Sequence, residues 1–136
     1  MRAWILARED RLEAALRGAV AARYGGPWSP PGLPAVYAHE TPAAAALALF
    51  HLLGAAPARG LRFFALELPD PLVATHAGRD RPREVGAHFL AAGRHLALRV
   101  PSRIAPATWL LLINPRHPAF EAVEVRPGAR WGEEAH

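Results

Sequence analysis

Several residue types are absent or rare in this sequence of 136 residues, and each absence excludes a class of protein. There is no cysteine, which excludes a disulfide framework, a cysteine-ligated zinc site and a thiol nucleophile. Lysine and glutamine are also missing, asparagine occurs only as Asn114, and serine occurs only as Ser29 and Ser102. Such a composition is typical of a GC-rich genome, and scarcity of amides and cysteine also suits a hot environment. Composition alone leaves both causes open.

Long hydrophobic runs are absent as well. The longest, residues 43–50, has eight residues, whereas a helix that spans a bilayer needs about 20. The apolar start, residues 1–7, is too short for a signal peptide and is followed by charges. We therefore expect a cytoplasmic protein that does not contact a membrane.

The positive charge is spread along the chain. The formal net charge is +4, and all sixteen basic residues are arginine. A nucleic-acid-binding protein concentrates its basic residues in a patch or stripe, so we expect no direct nucleic-acid contact. The seven histidines show no HExxH spacing, and we predict no metal site.

Hydrophobic periodicity and Gly/Pro punctuation predict a single α+β domain over residues 1–136, with a loose tail over 127–136. Thr41-Pro42 is typical of a helix start, and Gly54 of a helix end. Residues 72–82 are predicted to form a loop. The predicted strands are 3–7, 35–38, 61–68, 95–100, 109–113 and 120–126, and the predicted helices are 9–23, 42–53 and 83–92.

The stretch 24–34 is rich in glycine and proline and cannot be regular. It is not a phosphate-binding loop, because proline removes the N–H groups that would cradle phosphate. Trp28 and Ser29 either line a pocket in this rigid frame or serve as its packing anchor. Ser102 does not lie on a GxSxG elbow. Residue spacing by itself therefore supplies no mechanism.

Five segments in order resemble the RES domain family, the toxin halves of two-gene toxin–antitoxin modules. Residues 1–4 (MRAW) are similar to the family's opening strand, and residues 24–34 (YGGPWSPPGLP) to its GGRW loop. The other three segments are residues 35–38 (AVYA), the helix that ends with residues 50–52 (FHL), and residues 98–102 (LRVPS) followed by 112–118 (LINPRHP).

The resemblance implies an ADP-ribosyltransferase-like fold, a split mixed β-sheet with flanking helices. It implies a toxin that cleaves the nicotinamide glycosidic bond of NAD⁺ by hydrolysis or phosphorolysis. NAD is then the substrate or a ligand, and no cofactor is expected. The implied partner is an antitoxin with an Xre-type helix-turn-helix, and a homodimer can form through the surface that the antitoxin normally covers.

The same resemblance assigns site residues. It implies that Ser102 and Tyr37 are catalytic and that Trp28, Ser29 and Tyr37 bind substrate. We predict that Trp28, Tyr37 and Ser102 approach one shared cleft.

Four positions depart from the family pattern. Arginines that the family carries fall here on Ile5 and Pro27, its glutamate on or beside Ala48, and an asparagine near Leu110. A pyrophosphate dianion favours bidentate arginine, and an oxocarbenium-like transition state favours a nearby carboxylate. These replacements predict weak activity or none.

Neighbouring residues are candidates to compensate. Arg23 precedes Pro27 by four residues, and His39 directly follows the predicted strand 35–38 and shares the face of Tyr37 if that strand continues, so both are added to the substrate-binding set. Glu40 lies about 12 Å from Ala48 along the helix axis, too far for direct replacement. The alternative for all three is solvated surface. Two functional interpretations remain, a weak NAD⁺-consuming toxin and a pseudoenzyme that binds a nucleotide or a protein partner.

Overall fold

The computed structural model of the chain describes residues 1–54 and 59–132. None of the described helices is long and apolar enough to cross a membrane. The strands are β1 (Arg2–Arg8), β2 (Val36–His39), β3 (Leu61–Glu67), β4 (Val73–Thr75), β5 (Ala97–Pro101), β6 (Trp109–Ile113) and β7 (Glu124–Arg130). The α-helices are α1 (Leu12–Leu16), α2 (Ala19–Tyr24), α3 (Pro42–Leu53) and α4 (Pro82–Ala92), and short 3₁₀ turns lie at Glu9–Arg11, Asp70–Leu72 and Pro118–Ala122.

The strands form one mixed sheet in the order β4-β5-β6-β2-β1-β3-β7. Only β4 and β5 are parallel neighbours, and the other neighbours are antiparallel. β1 pairs with β3 along its whole length but with β2 only through Trp4 and His39. The sheet is therefore split into two halves that meet at one residue pair. This architecture confirms the expected α+β class and the split mixed sheet.

Each face of the sheet buries a different set of side chains. We call the face that carries Tyr37 and His39 the front face, and the face that carries Ile5 and Ala38 the back face. On the front face, α4 and the loop after α2 cover strands β5 and β6, while α3 covers β1 and β3. On the back face, α1 and the C-terminal 3₁₀ turn cover the sheet. Successive side chains of a strand point to opposite faces of the sheet, and because both faces are covered, side chains on both sides are buried.

The predicted helix over 9–23 is broken in two. Gly18 has φ +68°, and a Cβ at this position would lie 2.5 Å from the amide nitrogen of Ala35. The chain that leads into β2 passes so close that only glycine fits, and the helix axis changes there. The periodicity of leucines 12 and 16 could not reveal this contact, because it is tertiary.

The helix α3 begins and ends as predicted. The Thr41 hydroxyl accepts a hydrogen bond from the Ala44 N–H at 3.1 Å, and Gly54 closes the helix with φ +70°. The prediction of a loop over 72–82 missed the short strand β4, which pairs with β5. The last strand runs over Glu124–Arg130 and not 120–126, so residues 127–130 of the expected loose tail pair with β3. The end of that tail, residues 133–136, lies outside the described residues.

Candidate functional site

In the half of the sheet that contains β4, β5, β6 and β2, three strands end at the same edge. β2 and β5 are both antiparallel to β6, and β4 is parallel to β5. The three strands therefore share one direction, and their carboxyl ends bring His39, His76 and Ser102 to one edge. β2 and β5 both flank β6, which places their backbones about 10 Å apart. The arrangement gathers residues that are far apart in the sequence.

The hydroxyl of Tyr37 holds the glycine- and proline-rich loop against the front face. It accepts a hydrogen bond from the Trp28 N–H at 2.9 Å and shares a second one with the Ser29 hydroxyl at 2.7 Å. Gly26 permits this approach, because a Cβ there would lie 2.5 Å from the Tyr37 hydroxyl oxygen. Burial raises the pKa of Tyr37, although the two hydrogen bonds and the charge of Arg83 partly oppose the shift. Tyr37 is a neutral hydrogen-bonding group at neutral pH.

Trp28 and Ser29 are both fully buried, at 0% exposure. Trp28 packs on the front face with residues of α4, β5 and β6. Of the two interpretations of this loop, burial favours the one in which Trp28 is a packing anchor. The indole ring meets the half-buried His76 edge-on, with ring centroids 6.2 Å apart.

The first turns of α4 press on the same loop. A Cβ on Gly86 would lie 1.5 Å from the Trp28 carbonyl oxygen, so only glycine allows this helix to sit where it does. Arg83 lies three residues earlier on the same side of α4. Its Nε donates a hydrogen bond to the Gly26 carbonyl at 3.2 Å. The loop is therefore fixed by Tyr37 of β2 and by Arg83 and Gly86 of α4.

Ser102 follows β5 and is buried, and its hydroxyl oxygen organises the next turn. The oxygen accepts hydrogen bonds from the Ile104 and Ala105 N–H groups at 3.2 and 3.1 Å. These bonds use its lone pairs and leave the hydroxyl hydrogen to be donated. Within the described part of the chain, no hydrogen bond joins Ser102 to Tyr37. The shared cleft of Trp28, Tyr37 and Ser102 stays a prediction, supported by the common edge.

His39 occupies the joint between the two halves of the sheet. β2 continues to His39, so this side chain lies on the same face as Tyr37, opposite Trp4 and Leu110. It is 5% exposed, and its Nδ1 has no hydrogen-bond partner among the described residues. Burial lowers the pKa of His39 to about 4. The alternative of a solvated His39 is therefore wrong.

Arg23 and Glu40 are placed elsewhere. Arg23 is exposed on α2, and its guanidinium lies over the Tyr24 ring at 5.2 Å. Glu40 belongs to the back face, where it pairs with Arg99 at 3.4 Å and accepts a hydrogen bond from the Trp109 N–H. Of these two, Arg23 fits the solvated-surface alternative. Glu40 is engaged in a structural ion pair.

The departures from the family pattern do not all bear on this site. Ile5 is buried on the back face, so an arginine at this position of the chain would point away from Tyr37. Pro27 is exposed in the loop itself, and Ala48 is half-buried, one turn after the buried Ala44 of α3. Leu110 is buried on the front face beside His39. Of the four positions, Pro27 is the one that lies in the loop fixed by Tyr37.

A cavity of about 600 Å³ lies beside His76 and the first turns of α4. Sequence reasoning missed both His76 and Arg83, because each reaches the Trp28 loop only through the packing of β4 and α4. The local sequence gives only one signal, Pro82 at a helix start. The cavity is lined by His76, Gly78, Asp80, Arg81, Glu84, Val85 and His88.

The chain matches the RES domain family model over residues 2–132. Toxin Res of Pseudomonas putida is 32% identical over 125 residues, which cover 83% of this chain and 86% of that protein. The Prs ADP-ribosylating toxin of a Sphingobium species is 30% identical, covering 94% of this chain and 91% of that protein.

Among solved structures, the fold is similar to the M. tuberculosis MbcT–MbcA toxin–antitoxin complex, with a TM-score of 0.63 and 18% identity. The match covers 94% of this chain and 81% of the other chain. Fold and site thus define a RES-type α+β domain with a loop locked onto its split sheet. The chain belongs to the RES domain family.

Proposed function

We propose that this chain is a RES-type toxin that binds NAD⁺ over the front face and cleaves its nicotinamide glycosidic bond slowly. The observation that supports the proposal is the locked loop, in which the Tyr37 hydroxyl fixes Trp28 and Ser29 against the front face. Ser102 follows β5, whose carboxyl end lies at the same edge of the sheet as that of β2. In hydrolysis, the bond between ribose C1′ and the nicotinamide nitrogen breaks and water oxygen bonds to C1′. Neutral nicotinamide, ADP-ribose and one proton are released. In phosphorolysis, phosphate takes the place of water.

The low rate follows from the charges around the site. An oxocarbenium-like transition state is stabilised by a nearby carboxylate, and losing one preorganised electrostatic group costs about a hundredfold to a thousandfold in rate. Ala48 supplies no carboxylate, and Glu40 is committed to Arg99 on the back face. Ser102 can donate a hydrogen bond to the substrate but supplies no negative charge.

The second candidate is a pseudoenzyme of the same fold that binds a nucleotide or a protein partner without chemistry. The uncharged residues at Pro27 and Ala48 favour it. Under either candidate, we propose a cytoplasmic protein whose partner is an antitoxin, since the solved neighbour is a toxin–antitoxin complex. The Xre helix-turn-helix type of this antitoxin is proposed from the family resemblance alone. A homodimer of the isolated chain is part of the same proposal.

The test is NAD⁺ turnover by the purified chain, with and without phosphate. We expect slow release of nicotinamide by the wild type and faster release by Ala48→Glu. Leu47→Glu is the matched control, because it adds the same charge at the neighbouring exposed position of α3. Pro27→Arg tests the second missing charge separately. Adenine-labelled NAD⁺ distinguishes free ADP-ribose from ADP-ribosylated protein.

The outcomes separate the two candidates. Measurable turnover by the wild type supports the toxin and contradicts the pseudoenzyme. Turnover that appears only in Ala48→Glu supports the pseudoenzyme. Equal stimulation by Leu47→Glu would show that the effect is not local to the site.

A further inference from the structure

Arg83 is a cation fixed at the edge of the Trp28 loop. Its Nε–H is bound to the Gly26 carbonyl at 3.2 Å, and Gly26 directly precedes Pro27, the loop position that lacks a charge. Arg83 comes from a different element, the first turn of α4, 57 residues further along the chain. The packing of Gly86 on the Trp28 carbonyl keeps this turn against the loop.

The charge of Arg83 is not neutralised by an acid. Its bonded partner is a neutral carbonyl, and within residues 1–54 and 59–132 no carboxylate lies within ion-pair distance of it. Its neighbour Arg81 differs, because it pairs with Glu84 at 3.6 Å. A guanidinium carries five N–H donors, and the carbonyl uses one of them. The four donors on the terminal nitrogens remain for a ligand.

Arg83 also lies close to the group at the centre of the site. Its positive charge is among the causes that lower the pKa of Tyr37 against the effect of burial. Arg83 is bound to the carbonyl of Gly26, and a Cβ on Gly26 would lie 2.5 Å from the Tyr37 hydroxyl oxygen, so the guanidinium lies near that hydroxyl and its partner Ser29. A planar fork of donors beside a locked loop matches the geometry of a phosphate group.

We propose that Arg83 binds the pyrophosphate of NAD⁺. In this role, an arginine on helix α4 replaces the cation that the loop lacks at Pro27. The inference rests on the proposed function for the identity of the ligand, and on the Arg83–Gly26 contact for the residue. Arg83 is a binding residue in this proposal. It contributes to affinity for phosphate-containing ligands and not for phosphate-free ones.

The experiment is a binding titration of wild type, Arg83→Gln and Arg83→Lys with four probes: NAD⁺, inorganic pyrophosphate, adenosine and nicotinamide. Glutamine keeps an N–H donor for the Gly26 carbonyl but removes the charge, whereas lysine keeps the charge but loses the fork. Arg94→Gln is the matched control, because it removes the same charge from an exposed arginine just beyond the other end of α4. Arg94 lies roughly 16 Å away along the helix. Thermal unfolding of each variant checks that the fold is retained.

We expect Arg83→Gln to weaken NAD⁺ and pyrophosphate binding about tenfold or more, as loss of a charge-assisted bond does. Arg83→Lys should fall between Arg83→Gln and wild type, and Arg94→Gln should match wild type. Affinity for adenosine and nicotinamide should not change. The salt dependence of NAD⁺ binding should be shallower in Arg83→Gln.

The results separate the role of Arg83 from the proposed function. If wild type and Arg83→Gln bind NAD⁺ equally, the role of Arg83 is overturned while the NAD⁺ site stands. If pyrophosphate binds through Arg83 but NAD⁺ does not bind, the anion site stands and the proposed function fails. If wild type binds neither NAD⁺ nor pyrophosphate, both are overturned.

Discussion

Acidification is expected to destabilise the protein through the buried His39. The folded protein holds this side chain neutral, because burial lowers the pKa of His39 from 6.5 to about 4. The unfolded chain takes up the proton near the ordinary value. Between these two values the unfolded state binds more protons, so the free energy of unfolding falls as the pH falls.

The size of the effect follows from the two pKa values. Linkage predicts a loss of about 2 kcal/mol between pH 7 and pH 5, and about 3 kcal/mol by pH 4. The side chain is 5% exposed, so solvent screening does little to reduce the loss. The total stability of a domain of this size is about 5–15 kcal/mol, so the loss is easily measured.

The assay is urea denaturation of wild type and His39→Leu at several pH values from 7 to 4. The difference in unfolding free energy between the two proteins should change by about 2 kcal/mol from pH 7 to pH 5, because leucine does not titrate. Other titrating groups are common to both proteins and cancel in that difference. His88→Leu, at an exposed histidine of α4, is the matched control for the replacement of a histidine by leucine. A difference between wild type and His39→Leu that is constant over this range would refute the assignment of a buried neutral imidazole.

Three substitutions test individual contacts by urea denaturation, two in the packing of the site and one at the cap of α3. Tyr37→Phe should cost about 2–4 kcal/mol, because it leaves the buried Trp28 N–H and Ser29 hydroxyl without their partner; a cost below about 0.5 kcal/mol would contradict this role. Gly86→Ala should cost about 3 kcal/mol or more, since its Cβ overlaps the Trp28 carbonyl oxygen, and an unchanged midpoint would contradict the contact. Thr41→Ala should cost about 1 kcal/mol through loss of the α3 cap, and Thr41→Ser should restore most of it.

The positions of most strands and helices could be predicted, because local patterns determine them. The strand β6 has the bounds of its prediction, and α3 begins after Thr41 and ends before Gly54 as its capping residues indicate. The predictions failed where a distant segment intervenes. Gly18 breaks a helix because the backbone at Ala35 passes beside it, and β4 exists because β5 lies next to it.

The candidate site, like the fold, could be predicted from the sequence only in part. The motifs around Tyr37 and Ser102 marked segments that the sheet brings to one edge, and the sequence alone identified the uncharged residues at positions 27 and 48. Residue spacing could not tell which face a side chain takes. The register between Trp4 and His39 puts Ile5 on the back face and His39 on the front face.

What the sequence by itself determined is the class of fold, the family and the uncharged residues at positions 27 and 48, since these follow from local residue patterns. Only the tertiary structure decided which residues contact the Trp28 loop and how the Tyr37 hydroxyl is bonded. Arg83 meets Gly26 across 57 residues of chain, and the Tyr37 hydroxyl is consumed in fixing the Trp28 loop. Both facts depend on how α4 packs against β2 and its loop, and contacts between elements far apart in the chain leave no periodic signal in the sequence.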